Sequence, residues 1–452
     1  MRLVEALSTT EALTEIFSDD SVLAAMLKFE LALARAEARL KIIPQKAAKA
    51  IASAADPALF DISALSRQAS RSGTLVVPFS KALTELVSKK DPDAAGYVHW
   101  GTTSQDVSDT ALVLLLKRAM QVIVQDLKQA ESSLRELSEQ HRKTVMIGRT
   151  LMQPATPITF GLKAAGWFGA VHRSRIRLQR ACEEALVLQL GGAAGTLAAL
   201  GNEGPAVAQA FSDELDLPLP DAPWHTHRDC LAALICACGV LVGSLGKIAR
   251  DISLMSQNEV AEVAEPSGEG RGGSSTMPHK RNPVGSAITL AAATRVPALV
   301  ASYLFGTLQE HERGVGGSQA EWPIIVDVIQ STGTAAHALS EVAQGLTVNP
   351  LRMRKNLEST DGMIFAEKAT VLLGRKIGRM RAHKLLEDAT RDVLTKQKSL
   401  TDALREMPEA KKYLDPATLK HLEVPEEYLG SAEWFRKRLL DYSENKSVHK
   451  KD

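Results

Sequence analysis

The chain has 452 residues, and its 54 basic residues against 53 acidic ones leave a formal net charge of +1. That balance argues against nucleic acid as the main partner, so any anion recognition has to be local. No run of 18 uninterrupted apolar residues and no signal-peptide pattern is present, which predicts a soluble, cytoplasmic protein with no membrane partner.

The length suits two or three domains and a large core. Aromatic residues make up only 4%, while alanine and leucine abound, a composition that favours helix over strand. Residues 1–110 are expected to form an N-terminal helical domain. It opens with a helical pattern over 21–40 and closes in the turn-rich stretch from Asp91 to Gly96. Residues 111–350 form the bulk. Leu116, Met120, Ile123, Leu127, Leu134 and Leu137 keep a three-to-four-residue period, which marks a long amphipathic helix. Four further helical runs follow, over 157–190, 228–262, 283–306 and 319–345, the last despite Pro323. Helices of that length predict an extended bundle whose apolar faces need partner chains. Residues 351–452 are expected to form a smaller C-terminal helical domain, punctuated by Pro408, Pro416 and Pro425 and ending in a charged tail.

Short polar islands interrupt these helices, and they carry the chemistry. The densest spans residues 273–283, Gly-Ser-Ser-Thr-Met-Pro-His-Lys-Arg-Asn-Pro, preceded by Gly268, Gly270 and Gly272. Asn282 and Pro283 read as a helix start, which makes the block a polar loop beside a helix N-terminus, suited to an anionic substrate. The other islands are Ser72-Gly73-Thr74, His99 to Thr110, Gly148 to Gln153, Trp224 to Asp229 and Gln309 to Trp322. Each sits at or near a predicted helix end. Taken singly, each reads equally well as a helix cap. Together, rich in His, Arg, Thr and Gln, they are better explained by one shared anion pocket.

Two motifs invite other readings. His225 and His227 form an HxH pair, but no acidic or cysteine ligand sits at matching spacing, so a substrate or subunit-contact role is preferred to a metal. The run from Gly268 to Gly273 fits G-x-G-x-x-G, yet no apolar strand leads into it, and a dinucleotide fold is rejected. Cys182, Cys230, Cys236 and Cys238 lack metal-ligand spacing and are expected to be buried, reduced and structural.

Residues 273–282 resemble the GSSxMPxKxN signature of the fumarase/aspartase superfamily at every fixed position. Thr102 to Asp109 resembles its first signature and Gly148 to Gly161 its second, in the family's order and over nearly the whole chain. The resemblance implies an all-α, three-domain fold with a long central bundle. It also implies a homotetramer with a 20-helix core and active sites shared between subunits. Such enzymes work without a metal or an organic cofactor, adding or removing a group across a carbon–carbon double bond beside a carboxylate. Within the superfamily the stretches 72–78, 224–229, 310–317 and 320–322 are similar to those of the 3-carboxy-cis,cis-muconate cycloisomerases, whose substrate is a small tricarboxylate. That branch serves aromatic (protocatechuate) degradation.

Two departures separate that branch from adenylosuccinate lyase, the nearest competitor. Many superfamily lyases read Thr-His in the second signature, where the histidine protonates the leaving group. Here Thr150 is followed by Leu151. Adenylosuccinate lyase also resembles HERDxxxSxxER where this chain ends in Trp322, and an indole is a poor phosphate ligand. By the same resemblance Ser274 is the expected proton-transfer residue, with Ser275 beside it and Lys280 stabilising the developing charge. Lys280 and Asn282 are expected to hold one carboxylate. Thr103, Ser104 and Gln105 would hold another, with Thr150 and Gln153 alongside and Thr74 at a further position. His99, His225, His227 and Arg313 complete the expected pocket. The other readings are a fumarate-releasing lyase and a non-catalytic, crystallin-like structural tetramer.

Overall fold

The computed structural model describes residues 3–445 except 269–271, 274, 275 and 278, with side chains described as far as residue 441. Helices dominate, and the five long runs expected from periodicity are all present: Ser104–Gln140, Phe160–Ala185, Asp229–Met255, Val284–Phe305 and Gly317–Gly345. The first begins a dozen residues before its first periodic leucine. Its opening turn is set by Asp106, which accepts from the Thr102 hydroxyl at 3.0 Å and the Thr103 N–H at 3.1 Å. That is side-chain capping, here by an acid inside the first turn.

The chain separates into two compact units, each drawn from three stretches. One comprises the residues up to Leu127 with Arg173–Gly246 and Ala287–Ala338, and the other Lys128–His172, Lys247–Ser286 and the residues from Leu339 on. The five long helices each contribute a segment to both units. In the first unit Leu112, Leu116, Ile123 and Leu241 are fully buried, and Phe29 meets Phe211 edge-to-face at 4.8 Å. In the second, Phe365, Leu373, Leu385, Leu400 and Leu422 close the C-terminal core, and Ile147 joins it. At roughly 25 cal/mol per Å² of apolar surface, such burial is the main term holding each unit together.

The third polar island is not at a helix end. Val145–Thr150 pairs antiparallel with Gln153–Thr159, and Leu151 and Met152 form the two-residue turn with φ of 50° and 67°. Tight hairpins need positive φ at both turn residues, which usually selects Asn-Gly. Leu151 and Met152 instead stand 97% and 69% exposed. The hairpin runs straight into the Phe160–Ala185 helix at Gly161, whose missing side chain matters. A Cβ there would lie 2.6 Å from the Arg142 Cα and 2.7 Å from the Ser138 carbonyl oxygen.

Two helices, Asp229–Met255 and Val284–Phe305, are long and apolar enough to cross a membrane by length and composition alone. Scattered small and polar residues hid them from a search for uninterrupted runs. The most apolar part of the first is 61% buried, as in a core helix, while that of the second is only 28% buried.

Candidate active site

Two buried aspartates organise the polar residues of the first unit. Asp106 is fully buried and its carboxylate accepts five hydrogen bonds. Besides Thr102 and Thr103 it takes the N–H groups of Gly191 and Gly192, both at 2.9 Å, and the Nε2 of His225 at 2.7 Å. An ionised carboxylate only accepts, which places a proton on that nitrogen. Three chain segments are thereby clamped to one side chain. The fit is close, because a Cβ on Gly191 would lie 2.8 Å from the His225 Cε1.

One helical turn on, Asp109 binds the Arg228 guanidinium through both oxygens, at 2.8 and 2.9 Å. It also accepts from the amides of Gln189 at 3.0 Å and Gln105 at 3.3 Å. Arg228 has no side-chain exposure. It donates to Glu321 through Nε at 3.1 Å and through a second, very short contact, and lies 4.5 Å over the Trp224 ring. Burial works against its charge, but Asp109 and Glu321 outweigh burial and hold its pKa above the ordinary arginine value. Burial pushes Glu321 up to about 7, with Arg228 opposing and Asp109 adding.

Above this network lies a cavity of about 480 Å³ lined by Thr74, Ser104, Gln105, Arg313, Glu321 and Trp322 among others. Arg313 donates to the Thr103 hydroxyl at 2.7 Å and to the carbonyls of Gly192 and Ala193 at 3.2 and 3.0 Å. Those three acceptors are neutral, so none of them cancels its charge. The cavity therefore offers the Arg313 cation and several hydroxyls to a carboxylate, with the acids Asp109 and Glu321 on its wall held by the buried Arg228.

The structure thus brings Thr74, Thr103, Ser104, Gln105 and Arg313 together. Gln105 is mostly committed, since its amide also donates to the His225 carbonyl at 2.8 Å. His225 is buried on Asp106, whereas His227 is exposed, so the HxH pair does not share a face. His99, with φ of 59°, turns to Glu30. Its Nδ1 lies 2.6 Å from that buried carboxylate and its N–H donates to it at 3.2 Å. Burial opposes its charge, but Glu30 prevails and raises the imidazole above its ordinary pKa.

The remaining expected residues belong to the second unit. Thr150 and Gln153 flank the exposed hairpin turn, Lys280 is exposed and Asn282 half-buried. Ser274 and Ser275 lie outside the described residues. The expectation that Asn282 caps an anion-binding helix start needs correction. The helix begins at Val284, and the carboxylate of Glu265 takes the N–H groups of Gly285 and Ser286 at 2.9 and 2.8 Å and the Ser286 hydroxyl at 2.6 Å. An acid of the chain itself already fills the positive end of that helix. Behind the hairpin, Arg149 grips the fully buried Glu262 at 2.6 and 2.9 Å. The four cysteines are free. Cys238 alone is fully buried, and burial pushes Cys182 and Cys238 up to about 12, which makes both poor nucleophiles.

Sequence reading missed Asp106, Asp109, Gln189, Arg228 and Glu321 as members of this constellation. All but Gln189 stand in the polar islands, and the available signal was the SQDVSDT spacing. That spacing places Asp106 and Asp109 three residues apart, on one helix face.

Comparison with known proteins follows the same lines. The family model described as "Lyase" matches residues 5–298, and that described as "Adenylosuccinate lyase C-terminus" matches residues 362–439. The chain is 47% identical over 439 residues to a 3-carboxy-cis,cis-muconate cycloisomerase of Bradyrhizobium diazoefficiens, covering 97% of each. It is 43% identical over 423 residues to a nitrosuccinate lyase of Streptomyces davaonensis, covering 92% of this chain and 89% of that one. The crystal structure of the 3-carboxy-cis,cis-muconate lactonizing enzyme from Pseudomonas putida matches with a TM-score of 0.92 at 42% identity, over 98% of both chains. With a fold shared end to end and a family model covering most of its length, the chain belongs to the lyase family of the fumarase/aspartase superfamily.

Proposed function

We infer that this chain catalyses the interconversion of 3-carboxy-cis,cis-muconate and 4-carboxymuconolactone, a step of protocatechuate degradation. The observation that carries the reading beyond the family is Leu151, exposed at the hairpin tip where the resemblance puts the acid histidine of many lyases. Lactone closure does not need that acid. The nucleophile is a carboxylate of the substrate, whose pKa near 4 leaves it ionised at neutral pH. It adds to the double bond, forming a C–O bond, and the electron pair moves toward the conjugated carboxylate as an enediolate. One proton then adds to carbon, and the reaction is an isomerisation with nothing released. In reverse the carboxylate leaves as a stable anion.

Ser274 is proposed to carry the carbon-bound proton, with Ser275 as its neighbour. Lys280 stabilises the charge, as an oxyanion cation does. Lys280 and Asn282 hold one carboxylate, with Thr150 and Gln153 beside them. Arg313, with the hydroxyls of Thr74, Thr103 and Ser104, holds another. His99 keeps these groups in place through Glu30, His225 through Asp106 and Gln105 through Asp109. We propose a cytoplasmic homotetramer with shared sites, acting on a small tricarboxylate without metal or organic cofactor, nucleic acid or membrane. The exposed hairpin tip and the largely uncovered Val284–Phe305 helix support that assembly.

A second reading, a lyase acting on nitrosuccinate, is favoured by the identity to the Streptomyces davaonensis protein. A nitro group leaving as a weakly basic anion would equally need no acid. Trp322 on the cavity wall disfavours a nucleotide phosphate, and with it adenylosuccinate. The purified protein should be incubated separately with 3-carboxymuconate, nitrosuccinate and adenylosuccinate. Loss of the diene absorbance with the first substrate only is the expected result. Fumarate release from either of the others would replace the reading with a lyase. Silence with all three would point to a structural tetramer.

A further inference from the structure

The charges around the cavity are unevenly shared. Asp109 and Glu321 both lean on one guanidinium, Arg228, and both side chains are at most 5% exposed. Asp109 is the better supplied, holding both arms of Arg228 and two side-chain amides. Glu321 has Arg228 and a long contact of 3.5 Å from the Tyr303 hydroxyl. The groups that face it are therefore Arg228 at the start of the Asp229–Met255 helix, Asp109 on the Ser104–Gln140 helix and Tyr303 on the Val284–Phe305 helix. Arg313 lines the same cavity. Two buried carboxylates on one cation leave an excess negative charge at the wall of a site that must accept an anion. That arrangement is costly with both ionised, and a proton on one of them relieves it. Burial first, and the charge of Asp109 after it, push Glu321 up to about 7 against the pull of Arg228.

We propose that Glu321 is a substrate-binding residue that takes up a proton from solvent when a substrate carboxylate enters the cavity beside Arg313. The proposal rests on the polycarboxylate reading above. The free site holds Glu321 partly ionised at neutral pH. An incoming carboxylate adds negative charge a short distance away and displaces the equilibrium toward the neutral acid. At most one proton is bound per carboxylate seated, about half of one at pH 7 and closer to one above it. The neutral acid has an O–H to donate, which turns a repulsive wall into a hydrogen-bonding one. Asp109 remains the anion that Arg228 needs.

By linkage, binding that takes up a proton weakens as protons become scarce. The substrate's own carboxylates stay ionised above pH 6, so they contribute nothing in this window. KM for 3-carboxymuconate should be flat below pH 7 and rise above it, approaching roughly tenfold per pH unit at the limit of one proton. The Glu321→Gln enzyme keeps shape and a donor but cannot titrate, and its KM should change less than about twofold between pH 6 and 8.5. A flat wild-type profile, or a rise that Glu321→Gln retains, overturns the proposal, the latter assigning the proton to a histidine such as His99. Absence of turnover at every pH overturns the functional reading and the proposal with it. A second measurement does not depend on the variant folding. Wild-type enzyme titrated with the product lactone at pH 7.5, in buffers of different ionisation enthalpy, should show heats that report proton uptake. Heats independent of the buffer would refute it.

Discussion

Buried carboxyls decide much of the behaviour of this fold at the scale of single residues, and Glu37 is the most exposed to a pH test. It is 1% accessible, and its Oε1 has no hydrogen-bond partner among the described residues. Burial, with Glu30 about two helical turns away adding repulsion, pushes it up to about 8 from an ordinary 4.5. The unfolded chain thus releases this proton from about pH 4.5, while the folded chain holds it to about 8. Between those values each rise in pH favours unfolding. Glu37→Gln removes the titration. Its stability relative to wild type should grow from pH 5 to 8.5, reaching roughly 3–5 kcal/mol at ~1.4 kcal/mol per tenfold change in acidity. Urea melts at the two pH values check this, and a constant difference would mean that Glu37 is ionised in the fold. None of this was legible in the sequence. Glu37 looked like one polar residue in an alanine-rich helix, and nothing local shows which residues will surround it. Asp106 and Asp109 were visible as members of a polar island, but their roles were not. Gln189, His225, Arg228 and Glu321 arrive from 80 to 120 or more positions further along the chain.

At the scale of elements, the long helices were legible because a 3.6-residue period repeated over twenty residues leaves few alternatives. The hairpin was not. Its strands run only six and seven residues, and Pro154 and Pro157 argue against strand. Its turn residues, Leu151 and Met152, carry no Gly or Asn signal. The cap at Val284–Phe305 was misassigned for a related reason. Asn282 and Pro283 are the local signal, but the donors are taken by Glu265, twenty residues before Gly285 in sequence. The junction of hairpin and helix gives a sharp test. Gly161 donates from its N–H to the His141 carbonyl at 3.0 Å, and its own carbonyl accepts from the Ser138 hydroxyl at 2.8 Å. Both neighbours that a Cβ would strike are backbone, which has no rotamer to give. Gly161→Ala should therefore cost roughly 2–4 kcal/mol, in the overpacking range. It should also lower turnover, because the same junction carries the strand that presents Thr150 and Gln153. Unfolding within ~0.5 kcal/mol of wild type would show that the junction is looser than its contacts.

At the scale of the whole molecule, the candidate residues fall into two sets that sequence alone merges into one pocket. Thr74, Ser104 and Arg313 line a cavity of the first unit, with Thr103 bonded to Arg313, while Thr150, Gln153, Lys280 and Asn282 belong to the second and stand largely at its surface. An assembly of several copies is the proposed route to a complete site. Large apolar side chains on the long helices are the surface it would use. Val240 is 49% exposed on Asp229–Met255, and Leu304 and Phe305 are 43% and 80% exposed on Val284–Phe305. Val240→Asp places a charge on that face without entering the core of one chain. Light scattering on the eluting protein should give wild type four times the 48.7 kDa chain mass, and the variant a smaller species with unchanged helical circular dichroism. Turnover should fall by at least about 100-fold, since an interface charge costing ~3 kcal/mol or more is repeated in each copy by symmetry. A smaller species that retained full turnover would show that one chain carries a complete site. A tetramer that formed regardless would show that the contact lies on another face.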